Sequence, residues 1–321
     1  MKKITALLLA LLMLAGVLAG CGKQNDTNKT DKLSIVTTIF PEYDWVKEVL
    51  GDKADSAEIT MLLDNGVDLH SYQPTADDII RISDCDLFVY VGGESDGWVE
   101  DALKSAANKN RKVINLLDVL GDSVKEEETV EGMQEEEEDH EEKEYDEHVW
   151  LSLKNAKTLV GAISAALQEL DPDNKDTYAA NANAYGQKLS ALDAEYQKAV
   201  SAGTYKTLLF GDRFPFRYLV DDYGLSYYAA FVGCSAESEA SFETVSFLAR
   251  KVDEGKLPCV LTIEGKNHKI AETIVQNTAG KNQKILTMDS MQSTTSQDVA
   301  RGTTYLSLMA KNLDVLKEAL G

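Results

Sequence analysis

From Leu33 onward, short apolar runs rich in Val, Ile and Thr alternate with segments whose apolar positions recur every three or four residues. The first pattern suits a strand, whose side chains alternate between faces, and the second a helix with one apolar stripe. Strands are predicted at Leu33–Thr38, Ala57–Leu63, Leu87–Val91 and Lys112–Leu116, and again at Thr207–Phe210, Ser226–Phe231, Val260–Ile263 and Lys284–Met288. Helices fall between them: Pro41–Leu50 closes at Gly51, and Thr75-Ala76-Asp77-Asp78 is a capping box that opens another. This alternation is the signature of α/β units around mostly parallel sheets.

A helix over Leu153–Leu170 stops at Asp171-Pro172, and the proline suits the start of the next helix, which runs to about Ser201. In that long helix Tyr185, Leu189, Leu192 and Tyr196 recur at helical spacing, so it reads as a rigid connector. The expected architecture is two lobes, each with a mostly parallel sheet flanked by helices, joined by one long helix. The first lobe takes residues 33–170, the connector 171–202 and the second lobe 203–321. A chain of 321 residues suits two such bodies, since single cores stop growing near about 250 residues.

The first residues add an export signal. Lys2 and Lys3 precede an apolar run, Ile4–Ala19, that is short for a membrane span. Leu18-Ala19-Gly20-Cys21 resembles the lipobox of bacterial lipoproteins, in which cleavage before the cysteine exposes it to lipid. Residues 1–20 are then a signal peptide, and 21–32 a tether lipidated at Cys21. The alternative is an ordinary cleavable signal with an incidental cysteine.

Charge narrows the ligand. The formal net charge of −22 argues against nucleic acid, which is bound through Lys and Arg, and is compatible with a cation. Fourteen acids against one lysine crowd between Glu126 and Glu147, and such a block is expected to be a solvated loop, over residues 122–147, that attracts cations or has no role. His140 lies in it. Cys85, Cys234 and Cys259 allow at most one disulfide; Cys85 is expected in the core.

Two of the four histidines stand in similar settings, Asp68-Leu69-His70 and Asp146-Glu147-His148. His70 follows a predicted strand, and ligands of open α/β sheets gather at the carboxyl ends of strands. Asp68 and Asp146 are candidates for orienting the two rings.

The stretches Gly66–Thr75 and Asp146-Glu147-His148-Val149-Trp150-Leu151, the opening Thr37-Thr38-Ile39-Phe40-Pro41, Asp289-Ser290 and the closing Tyr305–Asn312 region resemble the zinc and manganese solute-binding lipoproteins of bacterial metal ABC importers, zinc-uptake type. The resemblance runs from Leu33 to Leu320. It implies a two-lobed α/β fold with metal held between the lobes, and it makes His70 and His148 first-lobe ligands and Asp289 a second-lobe ligand. Imidazole nitrogens with a carboxylate suit zinc, and oxygen-richer sets move the preference toward manganese.

The family's remaining ligand, His or Glu, falls on Arg213 when Phe210–Tyr218 is aligned back from Tyr223-Gly224-Leu225. A guanidinium has no lone pair to give. Asp212 one residue earlier, Cys234 or Glu237 beyond the next strand, or water are the substitutes, with Glu264 a weaker one. The resemblance implies Zn2+, with Mn2+ or Fe2+ as alternatives, an ABC permease as partner, and a monomer outside the cytoplasm anchored through Cys21. Two other readings stay open: a zinc hydrolase, although no HExxH helix appears, and a metal-independent surface adhesin in which Arg213 marks a lost site.

Overall fold

A computed structural model describes residues 32–104, 107–134, 144–235, 239–265 and 267–321. Cys21, His140 and Glu237 lie outside the described residues. Two four-stranded sheets organise Leu33–Gly321, which forms one compact unit.

The first sheet contains β1 (Ser34–Thr37), β2 (Glu58–Met61), β3 (Leu87–Tyr90) and β4 (Lys112–Asn115) in the order β2-β1-β3-β4. All pairs are parallel, with Ile35 opposite Ile59 and Val36 opposite Phe88. The second contains β5 (Thr207–Phe214), β6 (Ser226–Val232), β7 (Cys259–Ile263) and β8 (Lys284–Met288) in the order β6-β5-β7-β8, again parallel. Parallel strands need crossovers, and helices supply them. One of these, Ala76–Asp84, starts where the capping box was read: Thr75 Oγ1 accepts from Asp78 N at 3.2 Å, and Asp78 Oδ2 accepts from Thr75 N at 2.8 Å.

Helix Leu153–Leu170 is capped by Ser152, whose Oγ accepts from Asn155 N at 3.1 Å. After a turn at Pro172–Asn174, the Lys175–Ala202 helix runs 28 residues, about 42 Å at 1.5 Å per residue. It is fastened to elements of both sheets. Asn181 donates to Val49 O at 3.0 Å on the helix following β1, and Tyr196 donates to Met309 O at 2.6 Å on the C-terminal Tyr305–Leu320 helix. One apolar core runs through both lobes from Ile35 to Leu320, and a second lies under the outer face of the second sheet around Leu209, Phe231 and Leu248.

The expectation that the acidic block does not pack is corrected at its ends. Glu126 bridges to Tyr145, Gln134 N donates to Ala230 O at 3.0 Å on edge strand β6, and Asp146 and Glu147 are buried. Asp146 Oδ1 pairs with His148 two residues on, and Glu147 Oε1 accepts from Ser95 N at 2.8 Å. Segment 124–134 thereby crosses from the first lobe onto the second. Cys85, Cys234 and Cys259 are free thiols, and Cys85 is fully buried.

Candidate metal centre

The donors lie at the Leu69–Ser71 turn after β2, before the Val149–Leu151 turn, and in the loop after β6. His70 lies in the Leu69–Ser71 turn after β2. Leu69 is fully buried and pins the turn, while Asp68 caps it by accepting from His70 N at 3.1 Å. His148 precedes a second turn, Val149–Leu151, whose three apolar side chains are all buried. Asp146 Oδ1 accepts from His148 N at 2.8 Å and lies 3.0 Å from His148 Nδ1. Cys234 follows β6, and its N–H donates to Glu127 Oε1 at 3.2 Å.

Both imidazoles present Nε2 to the same point: the two atoms are 3.2 Å apart. Cys234 completes the group, since the His70, His148 and Cys234 donor atoms lie within 4.8 Å of one another; no other such trio of His, Cys, Asp or Glu occurs among the described residues. Each ring is held from behind. Asp146 takes His148 Nδ1, whereas His70 Nδ1 meets Ser95 Oγ at 2.7 Å and Glu147 Oε2 at 3.5 Å. Glu147 is itself fixed by Ser95 N at 2.8 Å. Ser95 was not legible as a site residue, and Asp68, expected to orient His70's ring, instead caps the turn and pairs with Arg213.

Burial and the neighbouring His148 hold the His70 imidazole down to about 3, so it is neutral and has a lone pair to offer at pH 7. Burial opposes charge on His148, but the carboxylates of Asp146, Glu147 and Glu127 together raise that ring above its ordinary value. The two Nε2 atoms thus face each other across the place a cation would take. Burial, with Glu127, Glu147 and Asp146 nearby, pushes the Cys234 thiol well up.

The other sequence candidates are placed differently. Asp212 is spent on backbone, its Oδ1 accepting from Arg213 N at 2.9 Å and its Oδ2 from Ile263 N at 3.3 Å. Asp289 Oδ1 accepts from Met291 N at 2.8 Å, and burial beside Glu264 pushes its carboxyl up to about 6. Glu264 clamps Ser290 through its N and Oγ, both at 2.7 Å. Arg213 turns from the trio to Asp68 Oδ2 at 2.6 Å and Ser235 O at 3.3 Å.

The family model described as zinc-uptake complex component A, periplasmic (ZnuA) matches residues 35–319. The chain belongs to the ZnuA family. Among its curated ZnuA-type relatives, zinc-binding lipoprotein AdcA of Streptococcus pneumoniae is 34% identical over 99% of this chain, which spans 61% of that protein's length. The high-affinity zinc uptake system protein ZnuA of Bacillus subtilis is 32% identical over 95% of this chain and 94% of its own. The crystal structure of the Zn(II)-bound ZnuA-like domain of S. pneumoniae AdcA superposes with a TM-score of 0.70 at 32% identity, covering 90% of this chain and 99% of that domain. The two parallel sheets and the long helix are thus the two-lobed ZnuA-like fold.

Proposed function

We propose that this chain is the extracytoplasmic solute-binding component of a zinc importer. It captures Zn2+ between its lobes and delivers it to an ABC permease, without catalysing a reaction. The observation that carries this reading is the convergence of His70, His148 and Cys234. Zinc bonds of about 2.0–2.1 Å at tetrahedral angles set two nitrogen ligands roughly 3.3 Å apart, close to the spacing of the two Nε2 atoms at 3.2 Å. A thiolate in the set favours zinc over manganese, which prefers oxygen. Arg213 does not oppose this, because Asp68 neutralises it. The family membership and the zinc-binding relatives support the same cargo.

Capture displaces protons, since Cys234 binds as thiolate and His148 must free Nε2. Titrating metal-free protein with Zn2+ and Mn2+ in turn should give one-to-one zinc binding with a Kd in the nanomolar range or tighter, about −12 kcal/mol, and much weaker manganese binding. Repeating the zinc titration in buffers of different ionisation enthalpy should register proton release. Failure of either ion to bind better than micromolar would overturn zinc capture; preference for manganese would move the cargo to the oxygen-liganded alternative.

The reading also gives Cys21 a lipid and leaves the protein a monomer on the membrane's outer side; no helix among the described residues is long and apolar enough to cross a membrane. Fatty-acid labelling lost in Cys21→Ala, and a single protomer in sedimentation, are the expected results. Equal labelling of the variant would remove the anchor from the account.

A further inference from the structure

Two acids adjacent in sequence are divided between the two histidines. Asp146 lies behind the His148 ring, 3.0 Å from its Nδ1, and Glu147 lies behind the His70 ring, with Oε2 3.5 Å from that Nδ1. The His70 side has a further member, because Ser95 Oγ stands 2.7 Å from the same nitrogen. Ser95 N donates to Glu147 Oε1 at 2.8 Å, and the Ser95 side chain hydrogen-bonds the same carboxyl group. Glu147 is 2% exposed, and its Oε2 has no hydrogen-bond partner. Buried acceptors are nearly always paired, so an oxygen left open toward a ring nitrogen points to a task there.

The backbone makes room for this carboxyl group. Gly93, in the turn after β3, has a φ of 83°, and a Cβ there would lie 2.4 Å from Glu147 Oε1 and 2.8 Å from its Cγ. The hydroxyl between acid and ring can act in two ways. When its hydrogen goes to Glu147, only lone pairs remain for His70, so Nδ1 must carry the hydrogen of their contact and Nε2 of the neutral ring keeps a lone pair. When its hydrogen goes to Nδ1 instead, the ring hydrogen moves to Nε2, the atom 3.2 Å from His148 Nε2, and blocks the metal-directed position. The acceptor on the far side of the hydroxyl decides between them.

We propose that Glu147 is a positioning residue for His70: through the Ser95 hydroxyl it holds the ring hydrogen on Nδ1 and leaves the lone pair of Nε2 to the metal. This rests on the zinc-capture reading. The two rings are then prepared by neighbouring acids in different ways, His148 by direct contact with Asp146 and His70 through an intervening serine. Partners of this kind fix the tautomer and the orientation of a ligating imidazole.

The test compares wild type, Glu147→Gln and Ser95→Ala by ring 15N NMR of the metal-free proteins at pH 7 and by Zn2+ affinity in chelator competition. The chain has four histidines, and the His70 signals are those lost in His70→Ala. Wild type should carry the His70 hydrogen on Nδ1. Glu147→Gln has an amide that can donate to the hydroxyl, so the ring hydrogen should shift toward Nε2 and zinc binding should weaken roughly 10- to 100-fold. Ser95→Ala removes the hydroxyl that could donate to Nδ1 and leaves Glu147 as acceptor, so the hydrogen should stay on Nδ1. A wild-type hydrogen on Nε2 would overturn the proposal. So would a wild-type tautomer in Glu147→Gln, even with affinity lost, since the residue would then serve packing alone. Weak zinc binding by wild type together with the expected tautomer shift would overturn zinc capture and leave the positioning of His70 by Glu147 standing.

Discussion

Arg213 falls where the sequence resemblance leads one to expect a ligand, and its contacts give it a different task. Its guanidinium, on β5 of the second lobe, bonds Asp68 Oδ2 at 2.6 Å, and Asp68 caps the turn that presents His70 in the first. The other arm reaches Ser235 O, next to Cys234. Arg213 therefore ties the His70 turn to the Cys234 loop. The two side chains are 19% and 24% exposed, so the pair is neither a surface bridge nor a fully buried one. A hydrogen bond between charged groups contributes about 1.5–3 kcal/mol, and partial exposure moves the expectation to about 2 kcal/mol. The cycle of Arg213→Met, Asp68→Asn and the double variant isolates that coupling; Asn keeps an oxygen for the cap. Urea unfolding of the metal-free proteins should return a coupling of about 1–2 kcal/mol, with both single variants destabilised. A coupling under about 0.5 kcal/mol would mean that Arg213 does not fasten the lobes.

Four further outcomes are expected. A Cβ at Gly233 would lie 2.9 Å from His148 Cε1 and 3.0 Å from Phe214 O, so Gly233→Ala should cost about 1–3 kcal/mol and weaken zinc binding in chelator competition; unaltered affinity would show that the loop yields freely. Burial raises the Asp44 carboxyl to about 6 although Tyr305 N donates to it at 3.0 Å. An acid raised in the folded state contributes stability below its unfolded value, near 4, and loses it as pH rises through about 6. The stability of wild type relative to Asp44→Asn should therefore fall by about 2.4 kcal/mol between pH 4 and pH 7, and a difference flat across that range would contradict the argument. Removing residues 135–143 should slow zinc loading in stopped flow and leave equilibrium affinity intact, whereas Glu127→Ala, which frees the Cys234 N–H, should lower affinity; loss of tight binding on removing 135–143 would put that segment in the site.

Much of the fold was legible because apolar periodicity reports local structure. Helix Leu153–Leu170 and strand Lys284–Met288 have the bounds read from the sequence. Strand β5 runs four residues beyond the expected Phe210, because Gly211-Asp212-Arg213 breaks the apolar pattern while pairing with β6 resumes past an irregularity at Arg213. The acidic segment misled for a related reason: composition records its charge but not its partners, which are Cys234 N for Glu127 and Ser95 N for Glu147, both distant in sequence, and the adjacent His148 for Asp146. His70, His148 and Cys234 could be singled out because imidazole and thiol are scarce and chemically distinctive. Ser95 is a common polar residue with no spacing motif, and only three-dimensional proximity to a histidine nitrogen makes it conspicuous.

Zinc K-edge X-ray absorption on protein loaded with one equivalent of Zn2+ probes the centre directly. The account expects one sulfur at about 2.3 Å and three nitrogen or oxygen neighbours at about 2.0–2.2 Å, with the sulfur shell absent from Cys234→Ser. A first shell of nitrogen and oxygen alone in the wild type would contradict a site built on His70, His148 and Cys234.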